Sequence, residues 1–306
     1  MNRTPSLPQG SEINQGHRRN QKDDSRTAGL IDFDTRTIAP SMDGSVVAQI
    51  DTRLENLIRD EPVIIPWAIE SGSRAWGFPS PDSDYDCRFI YVRPLRHMTA
   101  LFPKRDVIET PLDAVLDVGG WELSKALRLL LKGNAVILEW LTSPIIYRGN
   151  SDFQKAALAL THEVVNRSAM QHHYRRLALS MRARVAGENA QLPLKKLFYI
   201  LRPLVALKWL DENPTARFPP MHFQTLLDGV ELDEVLRGDI GMLVKAKAET
   251  RELGNGKVPP TIASFIDDGF KQFDGKAGRL GPPSASDVAM VEGFHQTWLH
   301  RLQPIS

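Results

Sequence analysis

Hydrophobic positions in the first half of the chain follow two different spacings. Between residues 46 and 58 apolar side chains recur every three or four positions, which predicts an amphipathic helix. The continuous apolar run Val63–Ile69 then predicts a buried strand that ends at Glu70. Further strands are predicted to continue through Phe89–Val92 and to cover Leu112–Val118, with the second of these ending at a glycine pair. Strands and helices therefore share this half of the chain.

Helical spacing dominates the remainder. Helices are predicted over 121–132 and Val136–Leu141, and the segments near 151–186, 191–211, 221–236 and 283–302 also have helical periodicity. Pro203 should kink or end the helix of the 191–211 segment right after Arg202. The change from mixed elements to helices alone predicts an α+β region over 44–150 followed by an α-helical C-terminal domain over 151–306.

Residues 1–43 differ from both regions. They mix Asn, Gln, Ser, Arg, Asp and Pro with few apolar residues and no periodicity, which is typical of a disordered tail. The interspersed acids favour a solvated leader over a polyanion-binding arm. We therefore predict no folded element in this segment.

Composition limits the class of protein. The 38 Lys and Arg residues are balanced by 37 Asp and Glu residues, so the strongly basic balance of many nucleic-acid-binding domains is absent at the level of the whole chain. The single cysteine excludes an internal disulfide and a thiolate-rich zinc site, which suits a reducing cytoplasm. No apolar run approaches the length of a membrane span, and the N-terminus lacks the hydrophobic core of a secretory signal. We expect a soluble, cytoplasmic protein with no membrane partner.

The most informative stretch follows the first predicted strand and reads Ser71-Gly72-Ser73-Arg74. Gly72 would let the backbone turn sharply and allow a phosphate to approach closely, and Ser73 offers a hydroxyl and a main-chain N–H. If residues 74–76 open a short helix, its unpaired N–H groups point at the same phosphate. The sequence therefore predicts a phosphate-binding turn.

Two acids follow this turn after a short polar segment. Asp84 and Asp86 are two positions apart, so they share one face if they begin a strand. Adjacent carboxylates repel each other unless a cation neutralises them, and Mg²⁺, or Mn²⁺ in its place, prefers oxygen ligands of this kind. The alternative is that residues 81–84 form only a turn with capping side chains, which explains Asp82 well and Asp86 poorly.

A third acid is needed to complete a two-metal site. Asp117 is our choice, because it lies at the end of the predicted strand beside the glycine break. Asp113 and Glu109 are the alternatives. The three proposed metal ligands are therefore Asp84, Asp86 and Asp117.

Cationic and aromatic side chains on predicted helices are further candidates. Lys195, Tyr199 and Arg202 lie on one helical face, where they would clamp a triphosphate and a base or serve at a surface or between domains. Lys125, Arg128 and Lys132 share the outer face of the 121–132 helix, where they would grip phosphates or form an ordinary solvated surface. His172 and His173 lack companions at metal-ligand spacing, so we interpret them as exposed or packing histidines, one of which could face the cleft between the two regions.

These motifs resemble those of a known superfamily. The residues Gly72-Ser73-Arg74-Ala75, Gly77 and Ser83-Asp84-Tyr85-Asp86 resemble the signature of the DNA polymerase β-like nucleotidyltransferases. The stretches Gly120-Trp121-Glu122-Leu123 and Leu138-Glu139-Trp140-Leu141 are similar to the predicted nucleotidyltransferases encoded beside RNA ligases, called RlaP-like. The resemblance covers roughly residues 60–225 and implies a short mixed β-sheet with flanking helices.

The resemblance also implies a reaction. An acceptor hydroxyl would attack the α-phosphorus of a nucleoside triphosphate such as ATP and release pyrophosphate. Gly72 and Ser73 would bind the triphosphate, with Ser73 at the β- and γ-phosphates. Asp84, Asp86 and Asp117 would carry the metal, Asp117 would additionally help to deprotonate the acceptor, and Lys195 and Arg202 would balance the charge of the triphosphate.

Three acceptors remain open: an RNA end, a protein side chain and a small molecule. The RlaP-like resemblance favours RNA by analogy. A protein-modifying, adenylylating transferase of the antitoxin type is the nearest alternative enzyme. A non-catalytic nucleotide or RNA sensor is the alternative from another class, although a sensor has no use for paired metal ligands.

Overall fold

A mixed sheet forms the centre of the chain. The computed structural model describes residues 32–113, 115–186, 194–250, 258–273 and 281–302. The strands in these ranges are β1 Thr35–Thr37, β2 Ile64–Glu70, β3 Tyr85–Val92, β4 Val107–Glu109, β5 Leu116–Glu122 and β6 Ile146–Gly149. They lie in the order β1-β6-β2-β3-β5-β4, in which β3 and β5 are parallel and the other neighbours are antiparallel.

Helices cover the sheet and make up most of the chain after residue 150. They are α1 Gly44–Asp60, α2 Gly72–Trp76, α3 Leu95–Met98, α4 Leu123–Leu131, α5 Val136–Leu141, α6 Ser151–Val164, α7 Arg167–Ala186, α8 Leu194–Glu212, α9 Phe223–Asp228, α10 Glu234–Glu249, α11 Pro260–Phe273 and α12 Ala285–Arg301. This architecture confirms the predicted α+β class, with a mixed sheet, flanking helices and a helical C-terminal region.

The two faces of the sheet are covered by different parts of the chain. The odd-numbered residues of β3, 85–91, pack in a core with α1, whereas Ile90 and Val92 pack on the opposite face with side chains of the later helices. Side chains alternate along a strand, so Asp86 and Arg88 belong to the face that the later helices cover. The helical region therefore lies on the side of the sheet that carries the predicted acids.

The third predicted strand is displaced along the chain. The prediction of a strand over Leu112–Val118 is wrong, because β5 begins at Leu116 and continues through the glycine pair. Asp113 lies in the preceding turn, where its carboxylate accepts hydrogen bonds from two backbone N–H groups. Gly120 is needed within β5, since a Cβ there would lie 2.2 Å from the Phe89 ring. A glycine pair that looks like a strand end is here the site of a close packing contact.

Several predicted helical bounds also differ. The segment near 151–186 is two helices, separated at Asn166, whose side chain accepts hydrogen bonds from the first N–H groups of α7. The helix predicted near 191–211 does not end at Arg202 but continues through Pro203 to Glu212. The region near 221–236 contains the short α9 and only the start of α10, and α11 was not predicted.

The division into a tail, a first domain and a helical domain stays a prediction. Residues 1–31 lie outside the described ranges. The sequence also predicts a turn at Gly254–Val258, of which residues 254–257 lie outside the described ranges as well. Residues 32–43 differ from the expected disordered tail, because β1 pairs with β6. The Asp34 carboxylate also accepts hydrogen bonds from the N–H and hydroxyl of Ser151, at 2.8 and 2.5 Å. Met42 is also buried in the core that contains α1, and Ile38 and Ala39 pack against this core.

Membrane insertion has no support among the described helices. Over the ranges described, none is both long enough and apolar enough to cross a bilayer.

A buried ion pair connects the helical region to the elements beside the sheet. Glu139 of α5 and Arg202 of α8 lie 2.8 Å apart, and only 8% and 2% of their surfaces are exposed. Glu139 also accepts hydrogen bonds from the Tyr174 hydroxyl at 3.1 Å and from Trp76 Nε1 at 3.2 Å. Arg202 donates in addition to the Met221 carbonyl. Both charges are therefore compensated, and α2, α5, α7 and α8 meet at one carboxylate.

We predict that Glu139→Ala lowers the free energy of unfolding by about 3–5 kcal/mol, because it leaves the Arg202 guanidinium buried and unpaired. Urea titration followed by circular dichroism measures this. Lys271→Ala, which breaks the exposed Lys271–Asp268 pair, is the matched control and should leave the urea midpoint nearly unchanged. Equal midpoints for Glu139→Ala and the unmodified chain would contradict the prediction.

Candidate active site

The turn after β2 brings the backbone against a carboxylate. Gly72 has φ +62°, in the left-handed region that favours glycine, and α2 ends at Gly77 with φ +88°. A Cβ at position 72 would lie 2.0 Å from Oδ2 of Asp86. The Ser71 N–H also donates to the Asp86 carbonyl at 2.8 Å. The predicted phosphate turn and one predicted metal ligand are therefore in direct contact.

Ser73 and Arg74 are engaged with the segment that leads into β3. The Ser73 hydroxyl donates to the Ser83 hydroxyl at 3.0 Å and is largely buried. Arg74 donates to the carbonyl oxygens of Ser83 and Asp84, at 2.7 and 3.2 Å, and its guanidinium lies 3.9 Å from the centre of the Tyr85 ring. These contacts fix the position of Asp84 relative to the turn. Arg74 therefore holds the Ser83–Asp84 segment next to the position predicted for the phosphate.

The three predicted acids lie at neighbouring strand starts. Asp86 is the second residue of β3, exposed Asp84 directly precedes that strand, and Asp117 is the second residue of β5. Asp86 and Asp117 are paired in register across the parallel strands, so their side chains project from the same face. The alternatives for the third acid are engaged elsewhere, Asp113 with Arg53 and Glu109 with Arg105.

Arg88 lies between two of the acids. One guanidinium nitrogen is 2.6 Å from Oδ2 of Asp117 and 3.4 Å from Oδ1 of Asp86. The other terminal nitrogen donates to the carbonyl oxygens of Asp117 and Cys87, at 2.8 and 3.1 Å. Arg88 is thus the counterion that the chain itself supplies to this pair.

Burial and the neighbouring charges shift the pKa of the Asp86 carboxyl. Burial raises the pKa of its carboxyl above the usual value, and the charges of Asp117 and Asp84 raise it further, while Arg88 and Arg74 oppose the shift. A divalent cation at this position would remove the repulsion that these neighbours create. Burial and the two neighbouring acids therefore all oppose the ionisation of the Asp86 carboxyl.

Glu70 is a functional candidate that the sequence analysis did not select. It is the last residue of β2 and is fully buried, and its carboxylate accepts hydrogen bonds from the Tyr147 hydroxyl and from the Asp86 N–H, the latter at 3.0 Å. Burial raises the pKa of Glu70 to about 7, although both hydrogen bonds act in the opposite direction. Glu70 therefore holds the backbone of Asp86 in place through this hydrogen bond.

The residues of the predicted clamp on α8 have different surroundings in the structure. Tyr199 is near the acids, since burial and then the charges of Asp86 and Asp84 raise its pKa. It also packs edge-on against Trp76, at 5.9 Å between ring centres. Arg202 is committed to Glu139 and lies 4.7 Å from the Trp76 ring centre, so it supports α2 from within the core. The side chain of Lys195 lies outside the described part of α8.

The donor set fits a divalent cation. Carboxylate oxygens are the ligands that Mg²⁺ and Mn²⁺ prefer, and the absence of a side chain at Gly72 lets the Asp86 carboxylate approach the backbone of the turn. Within the described ranges, no three His, Cys, Asp or Glu side chains are already arranged around one point as a metal centre. The Arg88 guanidinium contacts both Asp86 and Asp117. A cation held by these two carboxylates would therefore compete with Arg88.

Alternation along β3 was the signal that could have identified Arg88. It lies two positions after Asp86, as Asp86 lies two positions after Asp84, so all three belong to one strand face. Glu70 had a weaker signal, an acid at the end of an otherwise apolar strand next to the turn. The hydrogen bond from Tyr147 could not be read from the sequence, because 77 residues separate the two side chains.

Comparison with known proteins agrees with this geometry. A sequence model described as the RNA repair pathway DNA polymerase beta family, RlaP, matches residues 46–296. The chain is also 38% identical over 220 residues to a protein of Bacillus subtilis strain 168 described as uncharacterized protein YcgL. That alignment covers 72% of this chain and 83% of the relative.

The raised pKa of Glu70 predicts a specific dependence of stability on pH. Between its ordinary pKa of 4.5 and about 7, the folded state keeps a proton that the unfolded state has released. The free energy of unfolding should therefore fall as pH rises through this range, by an amount on the order of 3 kcal/mol. Glu70→Gln cannot ionise and should lack this contribution.

Urea titrations at a series of pH values, in EDTA, measure the difference between Glu70→Gln and the unmodified chain. The variant should gain stability relative to the unmodified chain as pH rises from about 4.5 to about 7. Glu109→Gln, which replaces an exposed carboxylate on β4, is the control and should give a difference that is flat in this range. A flat difference for Glu70→Gln would show that this carboxyl ionises normally.

Proposed function

The chain belongs to the RNA repair pathway DNA polymerase beta family, and from this membership we propose that it is a metal-dependent nucleotidyltransferase. It would transfer a nucleoside monophosphate from a nucleoside triphosphate to an acceptor hydroxyl and release pyrophosphate. A cytoplasmic location, where nucleoside triphosphates are abundant, is part of the same proposal.

One observation carries this proposal. Asp86 is in contact with the Gly72 turn and in register with Asp117 on the neighbouring parallel strand. A glycine turn that would bind phosphate through its N–H groups thus adjoins oxygen ligands that suit a divalent cation. Phosphoryl transfer depends mainly on such positioning and on the neutralisation of charge, so this juxtaposition is what the reaction needs.

Each residue has a defined part in the proposed reaction. The Gly72 turn and the N–H groups at the start of α2 receive the triphosphate, and Arg74 holds the segment that carries Asp84. Asp84, Asp86 and Asp117 would hold Mg²⁺ or Mn²⁺, which neutralises phosphate charge and polarises the attacking hydroxyl. Asp117 is the more exposed of the two acids that are paired in register, which favours it as the group that accepts the proton of the acceptor. Tyr199 lies where it can contact the nucleotide.

We propose an RNA hydroxyl as the acceptor. The family description names an RNA repair pathway, and this supports RNA over a protein side chain or a small molecule. To test the proposal, the purified chain is incubated with α-labelled triphosphates, Mg²⁺ or Mn²⁺, and either RNA or cell protein. Label in RNA supports the proposal, label in a protein band supports an adenylylating transferase, and nucleotide binding without pyrophosphate release supports a sensor.

We predict that Asp86→Asn combined with Asp117→Asn lowers the rate of pyrophosphate release by at least about a hundredfold, because even the partners of metal ligands are worth up to that factor. The double variant should melt no lower than the unmodified chain, since clustered negative charge is removed. The rate of pyrophosphate release and a thermal melt measure the two effects.

Asp113→Asn combined with Glu109→Gln is the matched control and should retain activity. An active Asp86 and Asp117 double variant would refute the assignment.

Arg88 should compete with the metal. We predict that Arg88→Gln increases the rise in melting temperature that Mn²⁺ produces, because the cation no longer displaces a guanidinium from Asp86 and Asp117. Without metal the variant should be less stable than the unmodified chain, since the acids lose their counterion. Arg105→Gln, at an exposed pair, is the control. If Mn²⁺ raised the melting temperature equally in Arg88→Gln and the unmodified chain, Arg88 would not occupy the metal position.

A further inference from the structure

A second cleft, distinct from the acids, lies between the end of α4 and the middle of α7. It has a volume of about 410 Å³, and its polar lining consists of Lys132, Asn134, His172, His173, Arg176 and Ser180. No Asp or Glu is among the described residues that line it. We call it the basic cleft.

Two cationic side chains of the basic cleft are exposed to solvent. Lys132 and Arg176 are exposed, and neither forms an ion pair with another residue of the described chain. Lys125 and Arg128 on the same helix are different, since both are within 3.1 Å of the Asp106 carboxylate. Of the three helical cations that the sequence indicated, Lys132 is therefore the one whose charge no described carboxylate neutralises.

The histidines of the cleft are partly buried. Nδ1 of His172 is buried and has no hydrogen-bond partner among the described residues. Burial lowers the pKa of His173, whose ring packs edge-on against that of Tyr174 at 5.4 Å. The two imidazole rings therefore add polar lining to the basic cleft without adding a negative charge.

We propose that the basic cleft binds a phosphate group of the RNA acceptor. This inference rests on the proposed function, because it assumes that the acceptor is a nucleic acid. Cations without opposing acids suit a phosphodiester, which carries one negative charge at every nucleotide. The apolar side chains of Leu129 and Leu177 line the same cleft and can contact a ribose or base. Lys132 and Arg176 would neutralise a backbone phosphate of the acceptor, while the two leucine side chains would contact the adjoining nucleotide.

The test measures binding without chemistry. A fluorescent, single-stranded oligoribonucleotide is titrated by anisotropy at several salt concentrations, without triphosphate or divalent metal. We expect Lys132→Ala combined with Arg176→Ala to weaken binding and to reduce the slope of log affinity against log salt by roughly 0.7 for each phosphate that is no longer neutralised. Arg59→Ala combined with Lys245→Ala removes two exposed cations from α1 and α10 and is the matched control, which should retain the original slope.

Two results would overturn the proposal. They are an unchanged affinity and slope in the Lys132 and Arg176 double variant, and an equal loss of affinity in the control. Failure of the nucleotidyltransferase proposal is distinguishable, because pyrophosphate release is measured separately. A chain that releases pyrophosphate but binds no oligoribonucleotide would refute only the basic cleft.

Discussion

The concentration of negative charge around Asp86 is the constraint on which the site depends. Its carboxylate lies against the Gly72 backbone, its neighbours Asp84 and Asp117 repel it, and the buried Glu70 accepts its N–H. A folded protein maintains such an arrangement only where a counterion is present. Within the chain itself Arg88 has this role, and in the proposed enzyme a divalent cation would take it over.

A second electrostatic centre holds the helical region in place. Glu139 accepts hydrogen bonds from Trp76, Tyr174 and Arg202. One buried carboxylate therefore links α2 to the two long helices α7 and α8. Burying a charge is costly, and here every partner is itself hydrogen-bonded or packed. The position of α2 against the sheet is therefore determined partly by residues that lie far from it in sequence.

Local patterns in the sequence were sufficient for the fold class and for the two central strands β2 and β3, whereas β1, β4 and β6 were not predicted. The helix before β2, the strand itself and the Gly72 turn follow from spacing and from glycine chemistry, and they agree with the structure. The end of β5 was wrong because Gly120 is specified by contact with the Phe89 ring, which no local pattern reveals. The start was wrong because the Asp113 carboxylate accepts hydrogen bonds from the next backbone N–H groups instead of lying in the strand. Arg202 was a candidate triphosphate ligand because of the helical face on which it lies. In the folded chain its partner is Glu139, a residue that is distant in sequence. Long-range partners therefore account for what the sequence left undetermined.

The most direct test of the central claim is a crystal structure with Mn²⁺ and a non-hydrolysable triphosphate, in which anomalous scattering locates the metal. The account predicts a peak between Asp86 and Asp117, with the Arg88 side chain displaced and the triphosphate beside the Gly72 turn. A bound triphosphate with Arg88 still between the two acids, and no metal peak there, would contradict it.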